Sequence, residues 1–194
     1  MESVFTQKAA RVLRVLMLIA LGCNLIALFL VPTAVLVNAN DPLGGTWTFL
    51  AGLFHPGEDD IQAAGAAFLL IAWAWCWATP HTFALTAFLL CSGCCTAQIL
   101  RQGLRVVDTI LQGKPFSMDN AVSLRRAAVC SFVISGAALA RTVFSVCYYR
   151  SVLPLVTYNA LFVPIFAMAG LLCLVMSALF HQAAEMKAEN DLTI

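Results

Sequence analysis

Three cysteines close together are the first residues whose spacing could support chemistry. Cys91 and Cys94 form a C-x-x-C pair, and Cys95 follows directly. A metal site usually needs four ligands, and a redox pair needs a solvent-accessible thiolate. These cysteines lie in an apolar run with no second cysteine pair and no nearby histidine. The pattern favours cysteine as a small apolar residue, with a redox or metal role as the less favoured alternative.

The other polar residues do not form a catalytic pattern. His55, His81 and His181 are far apart in sequence, and there is no nucleophile elbow, phosphate-binding loop or dinucleotide fingerprint. The apolar stretches contain no carboxylates, which are the usual mark of proton-coupled transport. We therefore predict a protein that is not an enzyme, with no catalytic residue, no cofactor and no metal.

Arg141 is the one charge clearly inside an apolar stretch. A mid-membrane arginine costs about 2.5–3.5 kcal/mol on insertion scales, so it is a functional candidate by default. It follows Arg126 by 15 residues, which is about 22 Å along a helix. Its long side chain can therefore reach the outer headgroups, and we favour this interpretation over a functional one.

The composition identifies the solvent in which these residues must fold. Of 194 residues, 61% are hydrophobic and 11% are charged, whereas soluble domains carry about 25% charged residues. A globule of this size would lack the polar residues needed to cover its surface, so lipid must cover the rest. We predict an all-α fold: an integral membrane bundle of four transmembrane helices in a single membrane domain, residues 1–194.

The apolar stretches predict where the chain crosses the membrane. The spans are expected at about 13–37, 81–104, 127–147 and 156–180. The run 15–37 exceeds the roughly 7–15 residues of a signal-peptide core, so we interpret it as a retained span. Residues 63–100 contain no charge, and one helix of that length would measure about 57 Å, nearly twice the hydrocarbon core. We expect a break at Pro80, with an extra apolar interfacial or re-entrant segment before the second span.

The basic residues predict the orientation. Two groups flank the first two spans: Lys8, Arg11 and Arg14 before them, and Arg101, Arg105, Lys114, Arg125 and Arg126 after them. Loops rich in lysine and arginine stay in the cytoplasm, so an even number of crossings separates the groups. We predict a multi-pass membrane protein with both termini cytoplasmic. The outer loop is 38–62, the cytoplasmic elbow 105–126 and the cytoplasmic tail 181–194.

The stretch between the second and third spans predicts a tight elbow. Gly113 can end the preceding helix, and Pro115 cannot continue it. Ser117 suits the N-cap of the next helix, and the helix dipole favours Asp119 in its first turn. Phe116 could pack back onto that helix.

The elbow and the tail also contain the candidate functional residues. The simpler interpretation is a well-formed turn with arginines at headgroup depth, and the alternative is a docking surface for a partner or for anionic lipid. The candidate partner or lipid contacts are Lys114, Phe116, Asp119, Asn120, Arg125, Arg126, Glu189, Asn190 and Asp191.

These two regions resemble a known family. The elbow followed by Ser123-Leu124-Arg125-Arg126, and the ending KAENDLTI at 187–194, are similar to the bacterial domain-of-unknown-function 2975 (DUF2975) membrane proteins. Their members show a G-x-x-F…N…LRR elbow and a K-x-E-N-D-L-T-[IV] tail. The resemblance covers about 101–194, and residues 63–79 look like extra length. It implies four transmembrane helices in a bacterial cytoplasmic (inner) membrane, with cytoplasmic termini and no established activity.

The resemblance also implies a partner, because family members are often encoded beside a small helix-turn-helix regulator. Our leading hypothesis is a sensor or regulatory membrane protein that lies in the lipid bilayer and contacts a cytosolic regulator through the elbow and tail. The alternative is a small homo-oligomeric transport or channel subunit with Asn24, Thr86, Gln98 and Arg141 along a polar path. We expect no direct nucleic-acid binding.

Overall fold

The computed structural model describes residues 2–32, 34–35, 72–74, 76–77, 79–113, 116–156 and 158–191. Four long helices make up most of these residues: α1 (Glu2–Phe29), α2 (Pro80–Leu111), α3 (Met118–Tyr149) and α4 (Tyr158–Asp191). A short 3-10 helix, Leu153–Val156, lies between α3 and α4. No strand occurs in the described ranges.

All four helices are long and apolar enough to cross a membrane. The qualifying segments are Gln7–Phe29, Pro80–Leu111, Met118–Tyr149 and Asn159–Asn190. Large apolar side chains cover their outer faces; Ile26, Met168 and Leu172, for example, are all exposed. So much exposed apolar surface suits contact with lipid and not with water. The predicted all-α bundle of four membrane helices is confirmed.

The helices extend beyond the spans expected from sequence. Helices α2 and α3 each have 32 residues and α4 has 34, which corresponds to about 48–51 Å against a hydrocarbon core of about 30 Å. Each of these helices therefore continues well outside the hydrocarbon. The expected outer loop 38–62, and most of the expected interfacial segment 63–79, lie outside the described residues.

The described chain forms two compact units, Met1–Leu25 with Cys91–Ile194, and Ile26–Leu90. The smaller unit contains the start of α2, which begins at Pro80 as predicted. Thr79 and Thr82 cap this end reciprocally, because each backbone N–H donates to the other hydroxyl oxygen at 3.3 Å. Proline suits the first helical position because no partner there requires its N–H. The small apolar core of this unit consists of Val31, Val35, Cys76 and Leu85.

In the larger unit, α1 and α2 run antiparallel. Arg14, in the middle of α1, pairs with Asp108, near the end of α2, and Asn24 beyond it contacts an earlier residue of α2. Further along, the Asn24 side-chain amide donates to the Gly93 carbonyl oxygen at 3.0 Å. A side chain can reach that carbonyl because glycine leaves the backbone uncovered.

Helices α3 and α4 form an antiparallel hairpin in the same unit. The Ser177 hydroxyl donates to the Ala121 carbonyl oxygen at 2.7 Å, and the Ser135 hydroxyl donates to the Val163 carbonyl oxygen at 2.8 Å. Between these bonds the Phe132 ring lies against Gly170, where a Cβ atom would come within 3.0 Å of it. Small residues and hydroxyl-to-carbonyl bonds are typical of close helix packing in membranes.

Candidate functional site

The charged parts of all four helices meet at one end of the larger unit. Cross-helix contacts bring them together: Arg14 Nε lies 2.9 Å from Asp108 Oδ1, and the Phe116 and Phe180 ring centroids are 5.9 Å apart. We call this region the polar end and define it by its charged residues, which are Lys8, Arg11, Arg14, Arg101, Arg105, Asp108, Asp119, Arg125, Arg126, Glu185, Lys187 and Glu189.

The elbow at the polar end has the local geometry that its sequence predicts. Gly113 adopts φ of +74°, a left-handed conformation that glycine accepts without steric cost, and its N–H donates to the Ile110 carbonyl oxygen at 3.1 Å. The Ser117 hydroxyl oxygen accepts a bond from the Asn120 N–H at 3.4 Å. The predictions for Gly113 and Ser117 are therefore confirmed. Lys114 and Pro115 lie outside the described residues.

Asn120 connects the elbow to α2. Its side chain is only 1% exposed, and its Oδ1 atom lies 2.8 Å from the Thr109 hydroxyl oxygen. That hydroxyl is also 2.7 Å from the Val106 carbonyl oxygen. A buried amide held in this way ties two helices together. The structure thus gives Asn120 a role between helices, and its role as a partner or lipid contact stays a prediction.

Phe116 and Asp119 lie at the surface of the elbow. Phe116 is 52% exposed although its ring packs on Phe180 of α4, and Asp119 is exposed in the first turn of α3. The contact with Phe180 links the elbow to the fourth helix, which sequence spacing could not reveal. The exposed part of the Phe116 ring is free for a further apolar contact.

A groove of about 600 Å³ opens between α2 and α3 at the polar end. One stripe of α3 and two glutamines of α2 line it: Val122, Arg125, Arg126, Val129, Cys130, Gln98 and Gln102. Both arginines are exposed, and neither forms an ion pair with any residue that the structure describes. Sequence reasoning identified the arginines and named Gln98 only for a transport path; it missed Gln102, whose four-residue spacing from Gln98 was the available signal.

The tail continues α4 as a helix beyond its apolar part. Glu189 and Asn190 are exposed, and Asp191 is the last helical residue. His181 Nδ1 lies 3.4 Å from Glu185 Oε2, one turn further along, with both side chains half exposed. The tail within α4 is therefore a helix with an exposed surface, and residues 192–194 lie outside the described part of the chain.

The cysteines do not assemble a metal site. All eight are free thiols. Cys95 lies within hydrogen-bonding reach of Cys91 on its own helix and of Cys130 on α3. Among the described residues, no group of three or more histidine, cysteine or acidic side chains could hold a metal ion. Cys95 and Cys130 therefore lie at the contact between α2 and α3.

Three of the four polar side chains considered for a transport path bond to neighbouring groups, and the fourth, Gln98, lines the groove. Arg141 Nη1 donates to Asn159 Oδ1 at 2.7 Å, so the guanidinium is held against the first turn of α4. The Asn24 amide bonds to a backbone carbonyl of α2, and the Thr86 hydroxyl donates to the Thr82 carbonyl oxygen at 2.8 Å. These contacts stabilise helices, and none of them favours the transport alternative.

The fold and the polar end together define a multi-pass membrane protein of four helices, in which most of the described charged residues gather at one end. The family model described as "Protein of unknown function (DUF2975)" matches residues 61–194, and the chain belongs to this family. The match starts well before the expected 101–194, so residues 63–79 lie within the family region and are not extra length beside it. No curated protein and no solved structure matches the chain.

Proposed function

We propose that this protein is a non-enzymatic regulatory membrane protein that presents its polar end to a cytosolic partner, a regulator of the helix-turn-helix type. The main observation in support of this proposal is that helix α4 continues beyond its apolar part. The helix continues to Asp191 and is exposed over residues 185–190, beside an elbow that bonds to α2 and packs on α4. An elbow held by neighbouring helices, next to the exposed end of α4, suits recognition of another protein.

Two exposed apolar side chains at the polar end support a protein partner. Met186 is 59% exposed among the charged residues of the tail, and Phe116 is 52% exposed on the elbow. Apolar side chains that face the hydrocarbon are expected to be exposed in the isolated protein. The tail, however, lies beyond the apolar part of α4, so lipid does not account for the exposure of Met186. Methionine and aromatic residues are enriched at protein interfaces because they supply adaptable or rigid apolar contact area.

The proposal includes an orientation in which the polar end faces the cytoplasm of a bacterial inner membrane. Basic residues dominate this end, whereas Arg141 and Arg150 are the basic residues towards the other. The positive-inside rule assigns the more basic end to the cytoplasm. Labelling by an impermeant maleimide tests this in a chain without the other cysteines. We expect Cys147 to react in intact cells, and a cysteine from Met186→Cys to react only after permeabilisation.

Recovery of cytosolic proteins tests the regulatory role. The full chain in detergent is compared with a chain that ends at Ala184 and with Met186→Ala. The control is Leu153→Ala, which removes an even more exposed apolar side chain at the other end of the hairpin. We expect a helix-turn-helix protein to bind the full chain and the control, to be lost with the shortened chain and to be reduced by Met186→Ala. Identical proteins recovered with all four chains would rule out a role for the tail.

A further inference from the structure

We propose that the groove between α2 and α3 binds one anionic phospholipid from the leaflet at the polar end. The phosphate would lie between Arg125 and Arg126, and an acyl chain would run over Val129 and Cys130. This site is separate from the tail and the exposed face of Phe116, and the proposal does not depend on a cytosolic partner. Depth, charge and shape each support it.

The depth of the arginines matches the phosphate layer. Tyr148 and Tyr149 are exposed at the other end of α3, where aromatic side chains mark a membrane interface. Arg126 precedes Tyr149 by 23 residues, which is about 35 Å of helix. The hydrocarbon core is about 30 Å thick. With the tyrosines at one interface, the two arginines therefore lie just outside the hydrocarbon on the opposite side.

The charge of the groove suits an anion. None of the described residues that line it is acidic. The nearest carboxylates on the two helices are Asp108, which pairs with Arg14, and Asp119, which precedes Arg126 by seven residues, or about 10 Å along α3. Arg125 and Arg126 thus keep their charge uncompensated within the described chain. A guanidinium binds phosphate oxygens through two parallel hydrogen bonds, so adjacent arginines suit a phosphodiester.

The shape of the groove distinguishes a lipid from a small soluble anion. Val129 and Cys130 lie one turn deeper than the arginines, and both line the groove. Gln102, on the facing helix, is held by a hydrogen bond from Arg105 Nη1 to its Oε1 atom at 3.5 Å. A volume of about 600 Å³ is within the usual range for ligand pockets. A free phosphate would use only the arginines, whereas a phospholipid uses both the charged and the apolar part.

Native mass spectrometry of the full chain in detergent tests the proposal, with phosphatidylglycerol and phosphatidylcholine of identical acyl chains as probes. We expect phosphatidylglycerol to bind preferentially. The double variant Arg125→Gln/Arg126→Gln should lose about 25-fold in affinity, from about fivefold for each arginine at a membrane surface. The matched control, Arg101→Gln/Arg150→Gln, removes two exposed arginines that do not line the groove and should change affinity by less than about twofold.

A second pair of measurements separates the lipid from other anions. Val129→Trp fills the apolar part of the groove without changing its charge, and it should also weaken phosphatidylglycerol binding. Glycerol phosphate, which has no acyl chain, should not compete. Equal binding of both lipids, an equal loss in the control variant, or unchanged binding in Val129→Trp would overturn the proposal. Effective competition by glycerol phosphate would do so too, because it would show a site for soluble anions.

Discussion

The two ends of α3 hold arginines in opposite ways. At the polar end, Arg125 and Arg126 are exposed and form no ion pair with any described residue. Towards the other end, Arg141 is half-buried and donates to Asn159 of α4. Arginine therefore connects two helices at the far end of α3, whereas at the polar end it is exposed and can make other contacts. The number of arginines on a helix therefore says little about function until the partner of each is known.

The difference follows from the cost of placing charge near hydrocarbon. An arginine inside a span is expensive unless a neighbour or water satisfies it, so Arg141 has a partner on the adjacent helix. Arginines at headgroup depth meet water and lipid phosphates, so they need no protein partner. The four predictions below test this contrast, beginning with the largest expected effect.

Removal of the buried elbow amide should cost the most stability. Asn120→Ala should lower the free energy of unfolding by about 1–3 kcal/mol, because it removes the link to Thr109 from a buried site. Thermal unfolding in detergent micelles measures the change. The control at the other end of α3 is Thr142→Ala, whose hydroxyl bonds only within its own helix. Losses of equal size would show that the elbow is no more firmly held than the far end.

Arg141 and Asn159 should be energetically coupled. A double-mutant cycle with Arg141→Met and Asn159→Ala should give a coupling energy of about 0.6–1.7 kcal/mol, the range for polar contacts between membrane helices. The same cycle with Arg126→Met in place of Arg141→Met should give no coupling energy, because Arg126 lies about 22 Å from Arg141 along α3. A coupling energy of zero between Arg141 and Asn159 would show that the arginines at the two ends of α3 do not differ in this respect.

The ion pair of Arg14 with Asp108 should contribute less to the stability of the protein than the contact of Arg141 with Asn159. Its side chains are 49% and 40% exposed, and ion pairs that water reaches contribute about 0.2–1 kcal/mol. A double-mutant cycle with Arg14→Met and Asp108→Ala measures it at low and high salt. The coupling should shrink as salt is added, since counterions screen exposed charges. A coupling that ignores salt would mean that lipid or protein shields this pair.

The groove arginines should contribute almost nothing to stability. In detergent without added lipid, Arg125→Gln/Arg126→Gln should change the free energy of unfolding by less than about 0.5 kcal/mol, as is usual for exposed positions. Unfolding followed by circular dichroism provides the measurement. A loss of 2 kcal/mol or more would mean that these side chains support the bundle, and the contrast with Arg141 would then fail.

Local features of this fold could be predicted because a few neighbouring residues determine them. Gly113 ends α2 because a left-handed residue there favours glycine, and Ser117 begins α3 because its hydroxyl caps a backbone N–H. The break at Pro80 depends equally on local chemistry. The four spans were predictable because lipid demands long apolar runs whatever their packing.

Contacts between helices could not be predicted, because they depend on how each helix is rotated about its axis. Asn120 looked like an exposed polar residue near a turn, but its position on α3 turns it towards Thr109. The bond from Arg141 to Asn159 likewise joins two helices through a pairing that no spacing in one helix indicates. The groove between Gln98, Gln102 and the arginines has the same origin. Periodicity shows which residues share a face, but not which face meets which neighbour.

The bonds along α4 have a mechanical consequence. Helix α4 is fastened to α3 at Asn159, Val163 and Ser177, and nearer its end the ring of Phe180 packs on Phe116 of the elbow. One turn further Ala184 is still buried, and residues 185–190 are then exposed over about two turns. Because Phe180 packs on Phe116, a force applied to the exposed end of α4 would be passed to the elbow before it reaches the part of α4 inside the membrane.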